Sequence, residues 1–371
     1  MSGKVSRREF LKQASKWSLF GTGILLSNHL LAACVFSPRV KESKGQIVFA
    51  NKSLGYYFFI IQQEAMHRAA QARGYDFSAM ISNMNSDRQI EQMKNITKKK
   101  PTAIICEPVA SDQELTRVID TLKQDGIPVG VIDTPLLDGD VSITVAFDNY
   151  KGGEMAAEKV IELLKEKYKE PKGIVLNCYG DLKSVAWKLR KDGFENKIKK
   201  YKQIKLISKA TSGDLTKMYD VTYETLQTNE ILDAVHAPSE TPARGMYEAL
   251  KARNKLHPIG NADHVIFVTI DGEPIAHEWI KEGILDASIS QDPIAHAEIC
   301  VEMLDSYVLQ RKPLPLKNYS NEKYYWKEAK VKATSSGPSV MIPPFEINKN
   351  NVNDKRHWAN IAFYDWGIKY L

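Results

Sequence analysis

From residue 46 the chain alternates short β-branched runs with amphipathic helical runs, and it keeps doing so to about residue 309. Strand-like runs fall at 46–51, 77–82, 102–106, 128–133, 142–147, 173–178, 204–210, 234–236, 265–270 and 286–291. Helical stretches separate them at 60–73, 89–99, 113–124, 153–167, 184–199, 215–228, 243–253 and 294–309. Gly74, Pro101, Gly126 and Pro171 stand where helices should stop. A strand that returns through a helix rejoins its sheet in parallel, so the pattern demands α/β architecture with helices on both sheet faces. Roughly ten strands crowd one open sheet, and two lobes with about five strands each are expected. After Pro315 the alternation gives way to an aromatic, lysine-rich segment ending in Trp358-Ala359-Asn360-Ile361-Ala362-Phe363-Tyr364-Asp365-Trp366.

The N-terminus carries a different kind of information. Ser6-Arg7-Arg8-Glu9-Phe10-Leu11-Lys12 matches the twin-arginine export pattern S-R-R-x-F-L-K. The apolar run 17–31, broken by Ser27, Asn28 and His29, is a signal-peptide core rather than a membrane span. Leu31-Ala32-Ala33-Cys34 then matches the bacterial lipoprotein cleavage box. A signal peptide over 1–33 is expected, with lipidation at Cys34 and a tether over 34–45. The protein should work in the periplasm or on the extracytoplasmic face, lipid-anchored to the membrane. Lys4, Arg7, Arg8, Lys12 and Lys16 against Glu9 account for +4 of the formal +6. The mature chain is therefore nearly neutral, and no nucleic-acid partner is expected. Cys106, Cys178 and Cys300 remain, an odd and scattered set that reads as buried thiols rather than disulfides.

In open parallel sheets, ligands bind beyond the carboxyl ends of the strands. The residues there are Asn51 to Phe59, Asp133-Thr134, Tyr179-Gly180-Asp181, Ser239-Glu240, Asp271-Gly272 and Gln291-Asp292. Carboxylates and amides bond neighbouring hydroxyls, and aromatic faces pack on the C–H face of a sugar ring. The set suits a polyhydroxylated ligand. The plainer alternatives are that Tyr56-Tyr57-Phe58-Phe59 begins a buried helix face, that Asp133 and Asp271 cap helices, and that Gln291 supports a hinge. Histidines and cysteines show no ligating spacing, and phosphate loops and nucleophile elbows are absent, so neither a metal nor a cofactor is expected.

Five stretches together give the chain a resemblance to the type I periplasmic sugar-binding proteins of the ribose-binding class, over about residues 46–352. They are Tyr56-Tyr57-Phe58-Phe59, Val131-Ile132-Asp133-Thr134, Asp148-Asn149-Tyr150-Lys151-Gly152-Gly153, Thr269-Ile270-Asp271-Gly272 and Ala287-Ser288-Ile289-Ser290-Gln291-Asp292-Pro293. The resemblance implies two Rossmann-like lobes joined by a three-segment hinge. Its lobes would be 46–148 plus 292–322 and 149–291 plus 323–352, with 353–371 as a C-terminal extension. It also implies ligand-binding roles for Tyr57, Phe58, Phe59, Asp133, Lys188, Arg190, Ser239, Asp271 and Gln291. Departures are Tyr56 for the family's Asn, Thr134 for its Arg, Lys188 near its basic contact, and Ser239 for its Asn. Trp187 and Tyr179 offer a different stacking surface.

The function this implies is a monomeric solute-binding lipoprotein. It captures a monosaccharide or related polyol by hinge closure and delivers it to the permease of an ABC importer, without making or breaking a bond. Presentation of the ligand to a membrane chemoreceptor or histidine kinase is the alternative. A lipid-anchored hydrolase is a third class. A repressor of similar lobe architecture would begin with a DNA-binding headpiece, and the export address stands in its place.

Overall fold

A computed structural model describes residues 42–229 and 231–370. The export motif, the 17–31 run and Cys34 lie outside the described residues. The first lobe opens with β1 (Gln46–Asn51), α1 (Tyr57–Ala72), β2 (Asp76–Ile81), α2 (Ser86–Ile96), β3 (Ala103–Cys106), α3 (Gln113–Gln124), β4 (Val129–Ile132) and β5 (Ile143–Phe147). The second lobe follows with α4 (Asn149–Tyr168), β6 (Gly173–Tyr179), α5 (Val185–Ile198), β7 (Ile204–Ala210), α6 (Leu215–Thr228), β8 (Ala234–Ala237), α7 (Glu240–Ala252), β9 (Ile266–Asp271), α8 (Pro274–Lys281) and β10 (Ala287–Ser290). All ten anticipated strands form, with ends shifted by a residue or so.

The chain then returns to the first lobe through α9 (Pro293–Met303) and adds β11 (Tyr319–Ser320), β12 (Glu328–Thr334) and β13 (Gly337–Ile342) to its sheet. Strand β14 (Phe345–Ile347) belongs to the second lobe, and a short helical turn, α10 (Trp358–Asn360), begins the terminal segment. The first sheet has the order β11-β12-β13-β5-β4-β3-β1-β2 and the second β14-β10-β9-β8-β6-β7. The chain passes between lobes three times, at Asp148, at Gln291-Asp292 and at Pro343-Pro344. The first two passages end in capping aspartates: Asp148 Oδ1 accepts from Lys151 N at 3.1 Å, and Asp292 Oδ1 from Ala295 N at 2.9 Å. Each turns at once into a helix.

One expectation needs correction. The resemblance puts 323–342 in the second lobe, yet β12 and β13 extend the first sheet. Strand β13 runs parallel to β5, pairing Ser339 with Thr144 and Ile342 with Phe147. Burial drives this, because Val340 and Ile342 enter the same apolar cluster as Ile143, Val145 and α9. The third crossing therefore falls at Pro343-Pro344, where neither residue has an N–H to continue a ladder. Cys106, Cys178 and Cys300 are unpaired and buried, as the apolar runs around them imply. No helix among the described residues is long and apolar enough to cross a membrane.

Candidate functional site

The carboxyl ends of β1 and β4 in the first lobe face those of β6, β8 and β9 in the second across a cleft of about 700 Å³. In the first lobe, β1 runs into a loop whose Lys52 turns inward. Lys52 Nζ donates to Asp133 Oδ2 at 2.7 Å and Thr134 Oγ1 at 3.0 Å, and lies 3.4 Å from Glu107 Oε1. It also sits 4.9 Å from the centre of the Phe59 ring. Burial alone would lift the Asp133 carboxyl, but the charges of Lys52, His296 and Arg190 hold it down, at about 2. Burial wins at Glu107, which is pushed up to about 8 although Lys52 opposes it. Lys52 is itself raised, because Asp133 and Glu107 outweigh the desolvation that would lower it. The nearer carboxylate, Asp133, matches the lysine charge, and burial favours the neutral form of Glu107.

In the second lobe, Arg190 on α5 is buried and reaches across to the end of β9. Its Nε donates to Asn149 Oδ1 at 2.8 Å, and its Nη1 donates to Pro238 O at 2.6 Å and Asp271 Oδ1 at 2.8 Å. Nη2 takes no partner among the described residues, and Arg190 lines the cleft. Gln291 at the hinge donates to the same Asp271 oxygen at 2.6 Å, while its own Oε1 is buried without a partner. Burial raises the Asp271 carboxyl against Arg190 and the Ser239 hydroxyl, and the facing charge of Asp133 adds to the rise. Asp133 and Asp271 also share a backbone feature, positive φ values of 61° and 123°. Such conformations are strained for residues with a side chain and persist where surroundings enforce them. Glu240 and Glu273 lie behind Asp271, the three carboxylates within 4.8 Å of one another. Ser288, Thr269 and the Gly272 N–H all donate to Glu240, and burial nevertheless pushes it well above the carboxylate range.

Phe58, Phe59, Asp133, Arg190, Ser239, Asp271 and Gln291 all line the cleft. Two anticipated contacts do not. Tyr57 faces away, its hydroxyl donating to Ile368 O at 2.8 Å and its ring stacked on Trp358 at 6.0 Å. Lys188 is exposed and pairs with Asp192 at 2.6 Å. Residues two apart on a helix point about 200° apart, so Arg190 facing in turns Lys188 out. Of the two alternative stacking residues, Trp187 lines the cleft, while Tyr179 turns its ring to Lys191, 5.3 Å away. The sequence reading missed Lys52, although the loss of Arg beside Asp133 was a signal that another cation had to supply its charge. Tyr56 lines the cleft too, and its hydroxyl donates across it to Gly213 O at 3.4 Å.

Comparison with known proteins agrees with this geometry. The model of the periplasmic binding protein domain family matches residues 47–312. The ribose import binding protein of Salmonella typhimurium is 26% identical over 279 residues, covering 74% of this chain and 90% of the relative. The D-apiose import binding protein of Actinobacillus succinogenes is 26% identical over 281 residues, covering 75% and 86%. An ABC transporter solute binding protein from Bacillus halodurans, solved with bound myo-inositol, superposes with a TM-score of 0.71 at 21% identity, over 86% of this chain and 99% of its own. Two parallel-sheet lobes, three crossings and a cleft at the strand ends are thus matched by sequence over most of their length, and the chain belongs to the periplasmic binding protein family.

Proposed function

We propose that the chain captures an uncharged monosaccharide or related polyol in this cleft, closes over it and hands it to an ABC importer. The observation that carries this is the meeting of Asp133 and Asp271, one from each lobe, beside Phe58, Phe59 and Trp187 in one cleft. Paired carboxylates accept from vicinal hydroxyls, and the aromatic faces cover the apolar side of a ring. Arg190 Nη2 and Gln291 Oε1 add a donor and an acceptor that ligand hydroxyls would satisfy. The charged lining, Asp87, Asp133, Asp181, Asp214 and Asp271 against Lys52, Lys183 and Arg190, is acidic on balance, which disfavours sugar acids and sugar phosphates. Relatives named for ribose and D-apiose and a fold neighbour holding myo-inositol support the ligand class. Delivery from outside the cytoplasmic membrane is supported by the twin-arginine motif and by the lipobox at Cys34, which would tether the lobes near a permease.

The test is a thermal-shift and calorimetric screen of the protein lacking residues 1–34. D-ribose, D-apiose, D-allose and myo-inositol stand against matched uronic acids and sugar phosphates. At a hundredfold excess over Kd, a ligand that binds only the folded state adds about 2.7 kcal/mol, so the melting temperature should rise by a few degrees. Stabilisation by the acids alone, or by no polyol at all, would sink the proposal.

A further inference from the structure

Residues 353–370 lie against both lobes. From the first lobe, the Tyr57 hydroxyl donates to Ile368 O at 2.8 Å, its ring meets Tyr370 edge-on at 5.1 Å, and Arg68 lies 4.7 Å from the Trp366 ring. From the second lobe, Arg244 Nη2 donates to Tyr370 Oη at 2.6 Å, and the Tyr370 hydroxyl donates onward to Glu273 Oε2 at 3.4 Å. His277 and Asn360 meet at 3.2 Å. Trp358 occupies the centre and is 1% exposed. Its Nε1–H donates to Asp271 O at 3.0 Å, and its ring stands edge-on to Phe58 at 5.9 Å. One indole therefore touches a cleft carboxylate residue of the second lobe and a cleft aromatic of the first.

We infer that this C-terminal segment belongs to the binding machinery, with Trp358 as a positioning residue that fixes Asp271 and Phe58 in the relation a ligand requires. The inference rests on the ligand-binding reading given above. The tail's apolar groups, Trp358, Ala359, Ala362, Trp366 and Ile368, pack on the first lobe's core, but its polar bonds reach the second lobe as well. Here the anchors lie on both lobes, so separating the lobes breaks either the Tyr57 bond to Ile368 or the Arg244 bond to Tyr370. The segment thus restrains opening, which raises the populated fraction of the binding-competent form. The central bond falls on the backbone of a residue held at a φ of 123°, a conformation that needs external support.

Trp358→Phe keeps a ring and removes the donor. Measured with whichever of D-ribose, D-apiose, D-allose and myo-inositol the wild type binds, affinity should fall about tenfold, the equivalent of one buried hydrogen bond, through faster dissociation. In a cycle with Asp271→Asn the two losses should not add, because one acts through the other. Loss of melting temperature with affinity kept within twofold, or losses that add, would overturn the positioning role. A ligand-free readout separates this from the functional reading. Dyes on Met84→Cys and Leu182→Cys, both exposed beside the cleft mouth, should move apart when residues 353–371 are deleted, and also in the milder Tyr57→Phe/Tyr370→Phe variant. An unchanged distance in the milder variant would refute the restraint even if no polyol binds. A wider distance would uphold the restraint even if the ligand proposal fails.

Discussion

At the scale of single residues, the site is organised by two cations that the fold buries, Lys52 and Arg190, each held against one aspartate. A buried pair is weak evidence of stability, but breaking one partner away leaves an uncompensated charge. Lys52→Met should therefore destabilise the protein by about 3 kcal/mol in thermal or urea unfolding. Adding Asp133→Asn should recover much of that stability without recovering ligand affinity. Recovery of both would assign Lys52 a purely structural role. Most of the cleft was legible beforehand, because Asp133, Asp271, Ser239 and Gln291 terminate strands whose apolar runs are plain in the sequence. Lys52 was not, since a lysine in a loop ordinarily stays in water and only the surrounding carboxylates reverse that. Tyr57 was misread for a related reason. Four aromatics in a row look equivalent, but a helix turns about 100° per residue and points them to different neighbours.

At the scale of elements, Arg190 reaches the cleft because α4 and α5 cross at unusually close range. A Cβ on Gly153 would collide with the Arg190 carbonyl, and one on Gly193 with the Tyr150 carbonyl. Gly153 of the Asp148–Gly153 motif thus serves helix packing beside the hinge, while Gly152 makes room for the Phe147 ring. Gly193→Ala should force the helices apart and draw the guanidinium off Asp271. Affinity should drop several-fold and stability by about 1–3 kcal/mol, the range for overpacking, which calorimetry and thermal melts on the same sample would measure. Unchanged binding alongside a lowered melting temperature would show that the crossing does not position Arg190. Helix α8 and strands β11 and β14 escaped the sequence reading because they are short, β12 because it is lysine-rich, and β13 because it opens on Gly337-Pro338. In β12 the alternation of Ala329 and Val331 with Glu328, Lys330 and Lys332 is a genuine period of two. Charges on a strand near a sheet edge guard against edge-to-edge pairing, and they also lower the mean hydropathy by which strands are found.

For the molecule as a whole, titration should set a distinct stability profile. Burial lifts Glu107 in one lobe and Glu273 in the other from 4.5 to about 8. Both therefore carry protons in the folded protein at neutral pH that the unfolded chain has released. Their stabilising contribution is complete below pH 4.5 and is lost as pH rises through 8. His236, His277 and His296, lowered by burial to about 3, 3 and 4, act in the opposite sense, adding stability as pH climbs to their ordinary 6.5. Below 6.5 the two groups oppose each other; above it the carboxyls are joined by His264, which Asp286 raises against burial and which loses its contribution in the same direction. Unfolding free energy should thus decline between pH 6.5 and 8, by about 1.4 kcal/mol per pH unit for each proton released. Glu273→Gln should flatten the decline, and a profile that rises over that window would contradict the protonated state of these carboxyls.

The three lobe crossings also impose an order of assembly. The first sheet is built from β1 to β5 but is flanked on its β5 side by β13, and α9 packs on one of its faces. Both arrive only after α4 to β10 of the second lobe have been synthesised. A nascent chain therefore cannot finish its first lobe when that stretch leaves the ribosome, and β5 waits with an unpaired edge. Neither half is an independent cotranslational unit, although domains ordinarily fold as units in the order they are made. Both sheets are completed at nearly the same point of the chain, the first by β13 and the second by β14.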